Sequence, residues 1–165
     1  MEQIKDSFLR WFKYNRKANQ NFIEIFGLQP ELPDEAISIF GHLLNSHLIW
    51  LNRIHPLEDM EIPSPWDALP AQKFASVNQQ CYQLSEWYLQ DEQFGQTLQK
   101  VITYQNSKGK EYQNSIEEIY FHLLSHSAYH RGQVAKQLRR ADIEPPVTDY
   151  IFDRREIRKM EGDNI

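Results

Sequence analysis

The chain has 165 residues, of which 41% are hydrophobic and 13% aromatic, and 18 Lys and Arg against 23 Asp and Glu leave a net charge of −5. That length suits one domain, able to bury ~70% of the surface its unfolded chain would expose, and so rich a set of aromatics excludes a disordered chain. The acidic balance argues against a nucleic-acid-binding domain, no run reaches the ~18 apolar residues of a membrane span, and one cysteine, Cys81, excludes an intrachain disulfide.

A single domain over 1–165 is expected, in a reducing cytoplasm, since Met1–Asp6 opens no apolar run of signal-peptide type. The one local basic concentration, Arg139–Arg140 with Arg154–Arg155, reads as a solvated helix end and tail, so no nucleic acid and no membrane are expected as partners.

Ile4, Phe8, Trp11, Phe12, Phe22, Ile23 and Phe26 recur at three- and four-residue steps, predicting an amphipathic helix over 2–26 with Gly27 as its stop. Gln29–Pro33 is a linker with two prolines. A second helix opens on Asp34 and Glu35, acids that suit a helix N-terminus, and runs to about Ile54 on a stripe of Ile37, Phe40, Leu44, Leu48 and Leu51; Pro56 ends it. Leu57–Pro70 reads as a proline-rich loop whose Trp66 is expected to pack over the other helices. A third helix over 71–90 carries Phe74, Val77, Cys81, Leu84 and Tyr88 on one face, which makes Cys81 a small core residue rather than a nucleophile.

Val101-Ile102-Thr103-Tyr104 favours strand, Asn106-Ser107-Lys108-Gly109 favours a turn, and Lys110–Tyr112 can return as a second strand. Ser115-Ile116-Glu117-Glu118 is a capping box, opening a fourth helix to about Arg140 with Ile116, Ile119, Tyr120, Leu123, Val134 and Leu138 as its stripe. Pro145 and Pro146 then forbid helix, so 143–152 is expected to run extended across the core, and 154–165, highly charged, to fray. The fold class is therefore all-α: a four-helix up-down-type bundle with a small β-hairpin before the last helix.

Function is most legible in the histidines. His122, His126 and His130 stand four apart on the fourth helix, so neighbours in this series share a helix face and can close on one metal ion. Bundles complete such sites from a facing helix. The second helix offers His42 and His47: at about 100° per residue His47 falls inside the apolar arc and His42 on its flank, beside Asn45 and Ile49. On the fourth helix His130 lies at the edge of the arc, His126 on its flank and His122 further round. A buried histidine is commonly only a hydrogen-bonded core residue, and spacing alone leaves both readings open. Ser127-Ala128-Tyr129 between His126 and His130 holds no carboxylate, which argues against a zincin-type protease.

Four stretches carry a resemblance: Gly41–Trp50, Thr103–Gly109, His122–Gln133 and Ile143–Tyr150. In them the chain resembles the DinB/YfiT-like family of small bacterial metalloproteins over nearly its whole length. The resemblance implies a four-helix bundle, often a homodimer, that binds a divalent metal through three histidines. Matched residue by residue, the ligands are His42, His126 and His130, with His47 as the alternative to His42 and His122 as a neighbour outside the set. Tyr129, Arg131, Gln133 and Asn45 become candidates for contacts behind the ligands or with substrate. Three imidazoles leave a coordination position open, the layout of a catalytic site, and suit zinc, nickel or iron, with copper also compatible. Related families include thiol-dependent S-transferases and isomerases, so the leading expectation is a metal-dependent thiol transferase or hydrolase acting with a low-molecular-weight thiol or another small molecule. The competing expectation is a stress-linked metal-binding sensor or interaction protein without catalysis.

Overall fold

The computed structural model describes residues 2–155 apart from 57, 59, 91–96 and 107. Its elements are α1 (Glu2–Leu28), α2 (Asp34–Ile54), a 3-10 turn (Ala71–Lys73) leading into α3 (Phe74–Leu89), β1 (Val101–Gln105), β2 (Glu111–Ser115), α4 (Ile116–Arg140) and a short α5 (Tyr150–Arg154). The expected bundle of four long helices with a hairpin ahead of the last is what the chain forms.

Two apolar clusters fill the bundle, one at each end. Phe8 and Phe12 of α1 meet Leu51 of α2, Tyr88 and Leu89 of α3, and Ile119, Tyr120 and Leu123 of α4. At the other end Phe22 and Phe26 meet Phe40 and Leu44, Phe74, and Val134 and Leu138. These pairings fix the helix directions as up, down, down, up: α1 and α4 run one way, α2 and α3 the other. Because α2 and α3 are parallel, the chain from His55 to Lys73 must travel back along the bundle before α3 begins.

Local chemistry explains most boundaries. α1 continues through Gly27 to Leu28, and Gly109 is the one glycine with positive φ among the described residues, so Gly27 does not act as the expected stop. A left-handed stop there would need a positive φ; the helix instead ends ahead of Gln29–Pro30. α2 starts behind Pro33, whose carbonyl accepts from the Ala36 and Ile37 amides. It ends where His55, extended at φ −145° and ψ 106°, precedes Pro56. The capping box is present in full: the Ser115 hydroxyl accepts from the Glu118 amide at 3.2 Å, and the Ser115 amide donates to the Glu118 carboxylate at 2.8 Å. α4 closes in a Schellman turn, with Asp142 at φ 56°, its amide on the Arg139 carbonyl and the Ile143 amide on that of Leu138.

The hairpin pairs Val101 with Ser115 through Gln105 with Glu111, so its second strand runs past Tyr112 to Ser115 and leads directly into α4. The Asn106 side chain accepts from the Lys108 and Lys110 amides and holds the turn. The chain from Ile143 to Asp149 is irregular, as two prolines require, but the extended course expected through residue 152 stops at Asp149. Beyond the reach of Pro146 the backbone is free to coil, and Tyr150–Arg154 forms α5, leaving Ile151 and Phe152 largely exposed. Tyr14 donates to the Thr148 carbonyl, and Lys17 pairs with Asp153 at 2.5 Å, fastening this segment to α1. Of the tail expected to fray, residues 156–165 lie outside the described residues.

Candidate metal centre

Between the two apolar clusters the interior turns polar. Asn15 and Asn19 of α1, His42, Asn45, Ser46 and His47 of α2, Asn78 and Ser85 of α3, and Ser127, His130 and Arg131 of α4 are all buried at this waist. His42, His126 and His130 meet on its α2–α4 side. One ring nitrogen from each lies within 4.8 Å of the others. The rings of His42 and His130 are 4.7 Å apart, and those of His126 and His130 4.3 Å.

For His42 and His130 the outer nitrogen has an acceptor that sets the tautomer. His42 Nδ1–H donates to the Pro65 carbonyl at 2.9 Å, and His130 Nδ1–H donates to Gln133 Oε1 at 2.7 Å. Both rings therefore turn Nε2 lone pairs inward, the arrangement in which metal-ligating histidines are usually held. His126 Nε2 lies 3.0 Å from His130 Nε2. Two nitrogens that share an ion through bonds of ~2.0–2.1 Å are themselves ~3.0–3.4 Å apart, so the pair already stands at ligand spacing. Burial lowers the pKa of all three; for His126 burial, with the neighbouring histidines added, brings it down to about 3. Neutral imidazoles at pH 7 are the form a metal needs.

The other expected residues divide by position. Gln133 touches the site, through His130. Asn45 acts on the returning chain: its Nδ2 donates to the Asp67 carbonyl at 2.9 Å and to that of Ser64 at 3.5 Å. His122 continues the row one turn on, its ring 5.1 Å from that of His126. Tyr129 is 65% exposed, its ring edge-on to His130, and shows no polar contact with the ligands. Arg131 is not at the site. It points into the bundle toward α1, donating to Asn15 Oδ1 at 2.5 Å and Asn19 Oδ1 at 2.9 Å. His47, inside the apolar arc as expected, faces α3 and meets Ser85 Oγ at 3.0 Å. The Ser85 hydroxyl spends its proton on the Cys81 carbonyl, so His47 Nε2 is the donor and is no free ligand atom.

Reading the helices alone missed what covers His42. On α2 alone it is a flank residue, yet it is only 9% exposed. Trp66 stacks on it at 3.8 Å and 11°, and Pro65 holds its Nδ1. The chain can lie this close because Gly41 has no side chain: a Cβ there would stand 3.3 Å from that of Leu69. The sequence signals were Gly41 beside His42 and an unexplained tryptophan in a proline-rich loop.

The chain is 28% identical to Protein DinB of Bacillus subtilis (strain 168), over 89% of this chain and 93% of that protein. Its fold is similar to that of a DinB-like protein from Bacillus cereus ATCC 10987, with a TM-score of 0.65, 17% identity, and coverage of 87% of this chain and 97% of that one. The DinB family model matches residues 1–160, and the chain belongs to the DinB family.

Proposed function

We propose that this is a divalent-metal protein in which His42, His126 and His130 bind the ion, and that the loaded protein is an enzyme of thiol S-transferase or hydrolase type. One observation carries the reading: three neutral imidazoles from two antiparallel helices bring their ligand atoms within 4.8 Å, two of them with the far nitrogen already engaged. A borderline-soft divalent ion such as zinc, nickel or iron fits this donor set and would supply Lewis acidity toward a thiol or a water. The chain's own residues do the rest. Pro65 and Gln133 orient the rings, Trp66 excludes water from one face of His42, and His126, the least buried ligand, marks the side from which a small molecule reaches the site.

We further read the protein as a cytoplasmic homodimer. Support comes from the free, buried Cys81 and from Phe121 and Tyr129, both exposed on α4. That same face, with Tyr129 against a ligand ring, favours a second reading: a sensor whose association responds to metal.

The test is elemental analysis of untagged protein, wild type beside His42→Ala, His47→Ala, His126→Ala and His130→Ala. One equivalent of metal, lost in the first, third and fourth variants and kept in His47→Ala, is expected. Folded wild-type protein that neither retains nor takes up metal ends the proposal. Metal-driven association without thiol or water chemistry selects the sensor reading.

A further inference from the structure

The wall of the site does not end at the histidines. On α2, residues 42, 46, 49 and 53 fall within one narrow stripe, each three or four residues after the last. On antiparallel α4 the row runs His130, His126, His122. The rings are in series: His126 to His122 at 5.1 Å, and His122 to Trp50 at 5.1 Å. The Arg53 guanidinium then lies 4.3 Å from the Trp50 ring and 4.6 Å from the Tyr104 ring of β1. A row of half-buried rings thus leads from the histidine cluster to a cation, ~16 Å along α2 from His42.

Arg53 is an odd residue to find there without a counter-charge. It is half-buried, and burial lowers its pKa. Among the described residues no carboxylate lies within 4 Å of it; the ion pair present is Lys17–Asp153. Of its five N–H donors one is directed to a protein acceptor, the Gln105 carbonyl at 3.3 Å. Two aromatic faces hold the fork rigid while its remaining donors lack an anion, the state in which a guanidinium gains most from a bidentate oxyanion. A clamp for the hairpin alone would need only the stem and the ring contacts.

We infer that Arg53 is the substrate's anchor: the row of rings on α2 and α4 takes a small molecule whose reactive end meets the histidine cluster and whose far end is a carboxylate bound by Arg53, with Trp50 and His122 along its length. This rests on the metal-site reading above and adds the class of substrate. It also moves the substrate contact expected of Arg131, which is turned inward, to Arg53.

The test uses full-length protein loaded with cobalt(II), whose absorption reports a thiol ligand directly. The probes are mercaptopropionate, mercaptohexanoate, mercaptooctanoate and mercaptoundecanoate, each beside the mercaptoalkanol of the same length. The alcohols subtract the contribution of the chain, so the acid-to-alcohol ratio of affinities isolates the carboxylate. The ratio should be near unity for the shortest pair and rise to roughly tenfold at a longer one. Arg53→Met, which keeps an apolar stem against Trp50, should bind cobalt as before and abolish the rise, and Arg53→Lys should keep part of it. A ratio in wild type that does not vary with length overturns the proposal, even if Arg53→Met fails to fold. So does a rise that Arg53→Met leaves intact. Failure of the metal-site reading looks different: no cobalt is bound. If cobalt binds but no probe gives a thiol band, the open coordination position is refuted, and the anchor with it.

Discussion

Each histidine at the waist is defined by what its second nitrogen does. His42 and His130 have theirs occupied by Pro65 and Gln133, which turns Nε2 toward the cluster, where that of His130 meets His126 Nε2 at 3.0 Å and that of His42 lies 3.5 Å from Ser46 Oγ. His47 has its Nε2 on Ser85 and its Nδ1 buried without a hydrogen-bond partner, and sits against the Phe12 ring. Burial pulls its pKa from an ordinary 6.5 to about 4. Unfolding lets the ring take up a proton anywhere between those values, so its contribution to stability is complete above pH 6.5 and is lost as pH falls through about 4. The loss amounts to about 3 kcal/mol. Urea unfolding of metal-stripped protein between pH 7 and pH 4 should therefore show a shallower acid decline in His47→Gln than in wild type, whatever the variant's stability at pH 7. Equal slopes would mean that His47 is already solvated in the fold.

At the scale of elements, the connection between α2 and α3 is what turns a helix flank into a site. Parallel α2 and α3 force it to return along the bundle, and proline keeps it extended on the way. Asn45 ties it down at the Ser64 and Asp67 carbonyls, the Ser64 amide donates to Asp67 Oδ2 at 2.7 Å, and Gly41 leaves room for Leu69. Asn45→Ala should loosen this segment without touching a ligand. The expected result is a roughly tenfold fall in metal affinity, the usual effect of losing a contact behind the ligands, together with faster proteolytic cleavage between residues 60 and 69. A competition titration against a chelator, with limited proteolysis alongside, checks both. Unchanged affinity and unchanged cleavage would show that the helices alone hold His42.

The whole molecule is two apolar cores separated by a polar layer, and the cluster of His42, His126 and His130 is one edge of that layer. Its opposite edge is a hydrogen-bonded chain: Arg131 to Asn15 and Asn19, Asn19 Nδ2 to Asn78 Oδ1 at 3.0 Å, and Asn78 Nδ2 to the Arg16 carbonyl at 3.1 Å. A buried guanidinium joined to neutral amides is costly to remove, because the acceptors it leaves behind stay out of water. Arg131→Met should cost about 3 kcal/mol in thermal or urea unfolding of metal-free protein. Metal affinity of the folded variant should stay as in wild type, since no ligand touches this network. A variant of normal stability that binds metal poorly would instead place Arg131 in the site.

Much of this was legible in the residues. Helix periods, proline positions, the Ser115–Glu118 capping box and the turn at Asn106–Gly109 are local signals, and local signals fix local structure. The spacing of His126 and His130 placed two imidazoles on one side of a helix for the same reason. What the sequence by itself could not decide was direction and partnership. Facing is measured against neighbours, and whether His42 or His47 looks toward α4 depends on where α3 lies. It depends also on the up-down-down-up order, which the two apolar clusters set together. Arg131 and Arg53 illustrate the point from both sides. Each is a charged residue on an amphipathic helix, but the packing of α1 takes the first inward to Asn15 and Asn19, while β1 and Trp50 hold the second between the Trp50 and Tyr104 rings. Side-chain environment is a sum over elements distant in the chain, and only the packed bundle performs that sum.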